Sequence, residues 1–183
     1  MKNYSDMHIY KRNNAFTIIE LIVVITIIAI LLGISTLVAS KIIRRERVAS
    51  ETDQLVSLLK EAQKYSMINT YYKVENEGIK KRQYGVEIEA LNTQGSNEPE
   101  RYRISLVWRD LDLTKYDSIR EYEINKINIT SNRGKNSSYG TVISVYFNDT
   151  GATGDNQTIT ITDTLKEYKR NIVISQLGHI NVE

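Results

Sequence analysis

The stretch Asn14-Ala15-Phe16-Thr17-Ile18-Ile19-Glu20-Leu21-Ile22-Val23-Val24-Ile25 is where the chain changes character. Ahead of it, Met1 to Ala15 is short and polar; Lys2, Lys11 and Arg12 against Asp6 leave this segment with a net charge of +2. Behind it, from Leu21 to Ser40, twenty positions carry no charge and most are Ile, Leu or Val. As a helix, twenty such residues cross the ~30 Å hydrocarbon core of a bilayer. Glu20 is the one charge left on the threshold of that run, and Ala15 and Phe16 stand just before it.

The helical signal does not stop at Lys41. Val48, Thr52, Leu55, Leu59, Ala62 and Ser66 recur at steps of three and four, with Leu58 and Tyr65 widening the stripe, while Lys, Glu, Gln and Asp fill the other face. Neither Gly nor Pro occurs between Ile34 and Thr70. One helix of about fifty residues is expected, roughly 80 Å long at ~1.5 Å per residue. Its first half is apolar all round and its second half along one stripe.

After Thr70 the period changes from helical to alternating. Tyr84, Val86 and Ile88 alternate with polar partners, as do Tyr102, Ile104, Leu106 and Trp108. Tyr122 and Ile124, Ile127 and Ile129, and Thr141, Ile143, Val145 and Phe147 follow, then Ile159 and Ile161, Ile172 to Ile174, and Ile180 to Val182. Period-two alternation of β-branched and aromatic residues marks half-buried strands. Gly- or Asn-bearing clusters at 92–97, 131–140, 148–156 and 177–178 mark turns between them. The expected class is α+β: a long N-terminal helix, half transmembrane and half amphipathic, packed on a small antiparallel β domain. The expected segments are 1–15, a leader; 16–40, the membrane half of the helix; 41–70, its amphipathic half; and 71–183, the β domain.

Composition removes several function classes. Net charge is +2 over 183 residues and the leader accounts for it, so the remainder is near neutral. A neutral body has little counterion release to drive non-specific nucleic-acid binding. There is no cysteine, hence no disulfide and no thiolate metal site. His8 and His179, the two histidines, cannot form a site together, and neither a Ser-His-Asp arrangement nor a phosphate-cradling glycine loop is visible. Glu87 with Glu89 and Glu121 with Glu123 fall on polar strand faces, and Trp108 reads as core or sheet-face packing. No catalysis and no cofactor are expected. Asp110, Asp112 and Asp117 form one acidic cluster; Asp149 and Asp155, with Asn148 and Asn156, form another. A calcium site needs six to eight oxygens from a tightly spaced loop, neither cluster has EF-hand spacing, and turn formation accounts for the same residues.

The segment from Asn14 to Ile25 resembles the type IV pilin signature, in which a small residue precedes a Phe-Thr-Leu-x-Glu run opening a long hydrophobic helix. Four independent elements coincide here: Ala15, an aromatic Phe16, the acid Glu20 four residues in, and the unbroken apolar run. The resemblance implies cleavage by a membrane-embedded prepilin peptidase between Ala15 and Phe16, with Ala15 standing where Gly is commoner, followed by N-methylation of Phe16. It implies a single-pass protein of the cytoplasmic (inner) membrane with its C-terminal domain outside. From there an assembly platform would add it to other pilin subunits in a pilus or pseudopilus, in the periplasm or beyond the cell. Glu20 would then meet the α-amine of a neighbour's Phe16. An acid in a spanning helix costs about 2.5–3.5 kcal/mol and usually has a partner; a buried pair of this kind sets register more than it adds stability. The local alternative is that Glu20 lies near the interface and complements the positive end of the helix dipole.

A weaker resemblance extends further. Phe147-Asn148-Asp149-Thr150-Gly151, Thr158 to Ile161, Ile172 to Ser175 and Gly178-His179-Ile180 look like the C-terminal hairpins of FimT/GspH minor pilins. Many major pilins carry a proline in the anchor and a C-terminal cysteine pair; this chain has Leu37 with no proline near it, and no cysteine. Both omissions favour a minor pilin or pseudopilin. Some members of that group bind DNA through C-terminal arginines, which are missing around Gly178-His179-Ile180-Asn181. Lys166, Lys169 and Arg170 lie beside Asp163 and Glu167 and read as a solvated strand edge, so DNA uptake is a minor reading.

Two features favour other arrangements. Lys41, Arg44, Arg45 and Arg47 beyond the apolar run outnumber the three cations before it, whereas the positive-inside rule would put the richer flank in the cytoplasm. Val38-Ala39-Ser40 would also pass as a signal-peptidase site, giving a secreted or anchored ligand-binding β domain that begins at Lys41. Against that rival, the apolar run exceeds the ~7–15 residues of a signal-peptide core.

Overall fold

The computed structural model describes residues 17–69, 71–74, 78–91, 101–110, 116–133, 135–137 and 140–183. One α-helix, α1, spans Ile18–Ile68, 51 residues without interruption. The chain divides into two compact units, one ending at Lys41 and the other running from Ile42 to Glu183. Within the first unit the helix is apolar all round and its hydrophobic side chains from Ile18 to Leu32 are exposed. It contains the one window of the described residues that is long and apolar enough to cross a membrane.

In the second unit the helix becomes one-sided. Val48, Thr52, Leu55, Leu58, Leu59, Ala62 and Ser66 are all buried, which is the stripe expected from the three-and-four spacing. The two hydroxyls on that buried face are satisfied along the helix itself. Thr52 Oγ1 donates to the Val48 carbonyl at 2.6 Å, and Ser66 Oγ to the Gln63 carbonyl at 2.8 Å. Small hydroxylated residues are therefore tolerated where Leu or Ala would otherwise stand.

Ten strands follow: β1 (Tyr71–Val74), β2 (Gly78–Ala90), β3 (Arg101–Asp110), β4 (Tyr116–Asn125), β5 (Ile127–Ser131), β6 (Lys135–Ser137), β7 (Gly140–Phe147), β8 (Gln157–Asp163), β9 (Lys169–Ile174) and β10 (Ile180–Val182). They form two sheets. The larger has the order β4-β3-β2-β7-β6, with β1 paired to the first residues of β2; the smaller has the order β10-β9-β8-β5. All pairings are antiparallel. The register sets Val86 beside Leu106 and Val145, and Ile88 beside Ile104 and Ile143. The second sheet aligns Ile129 with Ile161, and Ile159 with Ile172. These inward faces and the helix stripe make one hydrophobic cluster. The molecule is thus α+β, a long N-terminal helix packed on antiparallel sheets.

From β4 to β5 the chain passes from the larger sheet to the smaller at a single residue. Ile124 and Ile127 are both buried, and Lys126 between them takes φ 62°, a left-handed conformation uncommon outside glycine. Every alternating run read from the sequence falls within a strand. The 131–140 cluster, read as a turn, instead contains β6, the last residue of β5 and the first of β7. β6 is three residues long, Lys135-Asn136-Ser137, and pairs with β7; so short a polar run leaves no alternation to read.

Candidate processing and assembly site

The helix begins on a side-chain cap. Thr17 is the last non-helical residue; its Oγ1 accepts the Glu20 backbone N–H at 3.3 Å, and its carbonyl accepts the first helical bond, from the Leu21 N–H, at 3.2 Å. A threonine at the N-cap with a glutamate three residues on is the sequence pattern of a capping box. It satisfies one of the four amide donors that every helix start leaves open. Glu20 therefore lies in the first turn, where a carboxylate also complements the helix dipole. It is exposed, and so are Ile18, Ile19, Leu21 and Ile22 around it.

Of the residues singled out in the sequence, Glu20 is described and Ala15 and Phe16 lie outside the described residues. From Thr17 to Ser40 Glu20 is the only ionisable side chain. Thr26, the next polar group, turns its hydroxyl back onto the Ile22 carbonyl at 2.8 Å. Among its described residues the arrangement holds one ionisable side chain, that of Glu20. Chemically it offers a capped helix start, a lone carboxylate and an uncovered apolar surface.

The other sequence candidates resolve into structural contacts. Asp149 pairs with Lys81 Nζ at 2.7 Å, and this ammonium holds its carboxyl below the usual carboxylate value. Asp155 pairs with Arg133. Asn148 Oδ1 accepts from the Thr150 N–H and hydroxyl and from the Ala152 N–H, an Asx-type turn. Asp110 is buried and accepts from the Tyr72 hydroxyl; Asp117 is exposed on β4; Asp112 and His8 lie outside the described residues. Among the described residues no group of three or more His, Asp or Glu is placed to hold a metal. Arg170 faces Asp53 at 3.6 Å. Arg103 lies between Glu89 and Glu123, at 3.6 and 3.9 Å, on the outer face of the larger sheet. His179 closes the last turn, where its N–H donates to Ser175 Oγ at 3.0 Å.

Three contacts carried no sequence signal. Gln63 Nε2 donates to the carbonyls of both Gly151 and Gly178, at 2.8 and 2.9 Å, and so ties the helix to two C-terminal turns. In the sequence it was one of many polar residues on the helix's outer face. Arg44 pairs with Asp163 at 3.5 Å and Glu167 at 2.7 Å. The Arg82 guanidinium lies between the rings of Tyr72 and Trp108, at 3.7 and 4.1 Å, where its planar cation is attracted to both π-faces.

Residues 10–36 match the family model described as the prokaryotic N-terminal methylation motif, the type IV pilin signature. The match covers the residues just before α1 and most of its apolar part, and leaves the β domain untouched. No curated protein and no solved structure matches the chain.

Proposed function

We propose that this protein is a structural subunit of a type IV pilus or a type II secretion-like filament, most consistent with a minor pilin or pseudopilin. Prepilin peptidase would cut between Ala15 and Phe16, and Phe16 would be N-methylated. The observation that carries the reading is the match of residues 10–36 to the methylation motif, centred on a helix whose only charge before Lys41 is Glu20. The uncovered apolar surface of that helix suits a membrane first and a bundle of like helices afterwards. In the bundle Glu20 would take the α-amine of the neighbouring Phe16, and the β domain would face outward.

The FimT/GspH subtype rests on weaker support. A strand ending at Phe147, a turn with Gly151, and entry to the last strand through Gly178 and His179 agree with that group's pattern. The lack of anchor proline and of cysteine points the same way. A structural role accounts for the site without chemistry of its own; peptidase, assembly platform and fellow subunits are the implied partners.

Mass spectrometry of the mature N-terminus tests the reading. The expected species begins with methylated Phe16. A mature chain beginning at Lys41 would instead establish the secreted β domain and overturn the filament assignment.

A further inference from the structure

Arg44 fixes the position of a turn that no processing or assembly role uses. The turn between β8 and β9 is held by the Lys166 N–H to the Asp163 carbonyl at 2.9 Å, and by the Tyr168 N–H to Asp163 Oδ1, also 2.9 Å. Lys166 takes φ 58°. Asp163 and Glu167 flank the tip and both pair with Arg44. At the tip itself, Leu165 is 59% exposed.

The direction of this hairpin follows from contacts within the second unit. The turn preceding β8 carries Gly151, which is bonded to Gln63, whereas the end of β8 carries Asp163, which is paired with Arg44. β8 therefore runs back along the helix, from the level of Gln63 to that of Arg44. Its tip projects toward the end of the helix at which the chain enters from the apolar run. In the sequence Arg44 is four residues past Ser40, where that run ends.

Apolar and basic side chains predominate at the tip and at the nearby helix positions, with Glu46 and Glu167 the exposed acids among them. Ile42 and Ile43 are 55% and 57% exposed. Lys41, Arg45, Lys166 and Lys169 are exposed, and Arg44 occupies both acids of the turn. An exposed leucine with exposed lysines on the same hairpin, tied to a helix residue only a few positions in sequence past an apolar span, is a combination that settles at an anionic headgroup layer. We propose that the β8–β9 turn is a membrane-surface contact: Leu165 inserts at the interface and Lys166 and Lys169 meet anionic lipid, so the β domain is held against the bilayer before assembly. The inference rests on reading the apolar helix as a membrane span.

The chain has no cysteine, so single labels are unambiguous. The full-length protein is reconstituted in phosphatidylcholine vesicles with and without phosphatidylglycerol. An environment-sensitive fluorophore is placed on Leu165→Cys, on Leu177→Cys at the turn bonded to Gln63, or on Ile30→Cys within the span. The expected result is severalfold stronger quenching by headgroup-spin-labelled lipid at position 165 than at 177. It should require phosphatidylglycerol, and fade in Lys166→Glu/Lys169→Glu and at 1 M salt, where charges are screened within about 3 Å. Equal quenching at 165 and 177, with the probe at 30 buried in the acyl region, would overturn the contact and leave the span standing. A probe at 30 accessible to water would overturn both. Protection of position 165 only in assembled filaments would assign the turn to a neighbouring subunit instead.

Discussion

Thr17 and Glu20 are positions where two explanations for one residue meet. The cap is satisfied within a single chain: Thr17 Oγ1 takes the Glu20 N–H. The proposed pairing with a neighbour's α-amine needs a second chain and a negative charge. A glutamine distinguishes them, because Glu and Gln serve equally at this position of a capping box while only Glu can neutralise an ammonium. Glu20→Gln should insert normally and yet enter filaments as poorly as Glu20→Ala, read as the ratio of filament to membrane-bound subunit. If Glu20→Gln assembles like the parent, the residue is a cap and the pairing is discarded. Glycine positions can be separated in the same way. Gly178 has φ +87° and a Cβ there would lie 2.0 Å from the Gly151 carbonyl oxygen; at Gly151, φ +78°, the nearest atom is the Met67 sulfur at 3.1 Å, the end of a flexible side chain. Gly178→Ala should cost about 3 kcal/mol and Gly151→Ala about 1–2 kcal/mol, the latter being mostly backbone strain. Urea unfolding of the full chain in detergent, followed by the single Trp108, measures both; equal losses would mean that the close approach of the two turns is not what constrains Gly178.

At the scale of elements, the amphipathic half of α1 was legible: of the stripe predicted from spacing between Val48 and Ser66, every residue is buried except Tyr65, which is half-buried. That succeeds because burial of one helix face imposes the period directly. The strands were legible wherever one face is apolar, as at Gln157–Asp163 with its strict alternation of buried and half-buried residues. β1 and β6 were not, because runs as short as Tyr71-Tyr72-Lys73-Val74 and Lys135-Asn136-Ser137 hold too few positions to show an alternation. The Gln63 contact was invisible for another reason. Its amide spans 88 and 115 residues of sequence to reach two carbonyls, and nothing local distinguishes it from the other polar residues of that face. Gln63→Leu should lower stability by about 1–3 kcal/mol, because two partly buried carbonyls lose their donor while side-chain volume is kept. Hydrogen exchange should localise the loss to the turns at 148–152 and 175–179. Faster exchange spread evenly through the β domain would show that Gln63 acts on general packing rather than as a tie.

For the whole molecule, the change of period near Thr70 was enough to give the α+β class, but the division into two sheets was not in the pattern. Strands of both sheets alternate alike, and the corner between them depends on one left-handed residue, Lys126, which carries no conformational signature of its own. Stability of the assembled domain should show the same dependence on placement. Burial pushes the Glu51 carboxyl up from its ordinary value, with Arg47 pulling partly the other way; Tyr122 beside it has a buried hydroxyl without a hydrogen-bond partner and is itself raised, chiefly by burial. Folded protein thus binds the Glu51 proton more tightly than unfolded protein does. Stability should rise as pH falls from neutral through the raised value, and level off below about 4.3, where the unfolded carboxyl also protonates. Asp149 acts in the opposite sense. Its lowered value means that its contribution is present above about 3.9 and is lost as pH falls through the depressed value. The unfolding midpoint should therefore pass through a maximum on the acid side of neutrality. Glu51→Gln should flatten the rise toward that maximum and leave the acid limb in place, whereas Asp149→Asn should remove part of the acid limb and leave the rise. A Glu51→Gln profile superimposable on the parent would show that the buried flank of the helix at Glu51 is solvated in solution, and the proposed origin of the maximum would have to be abandoned.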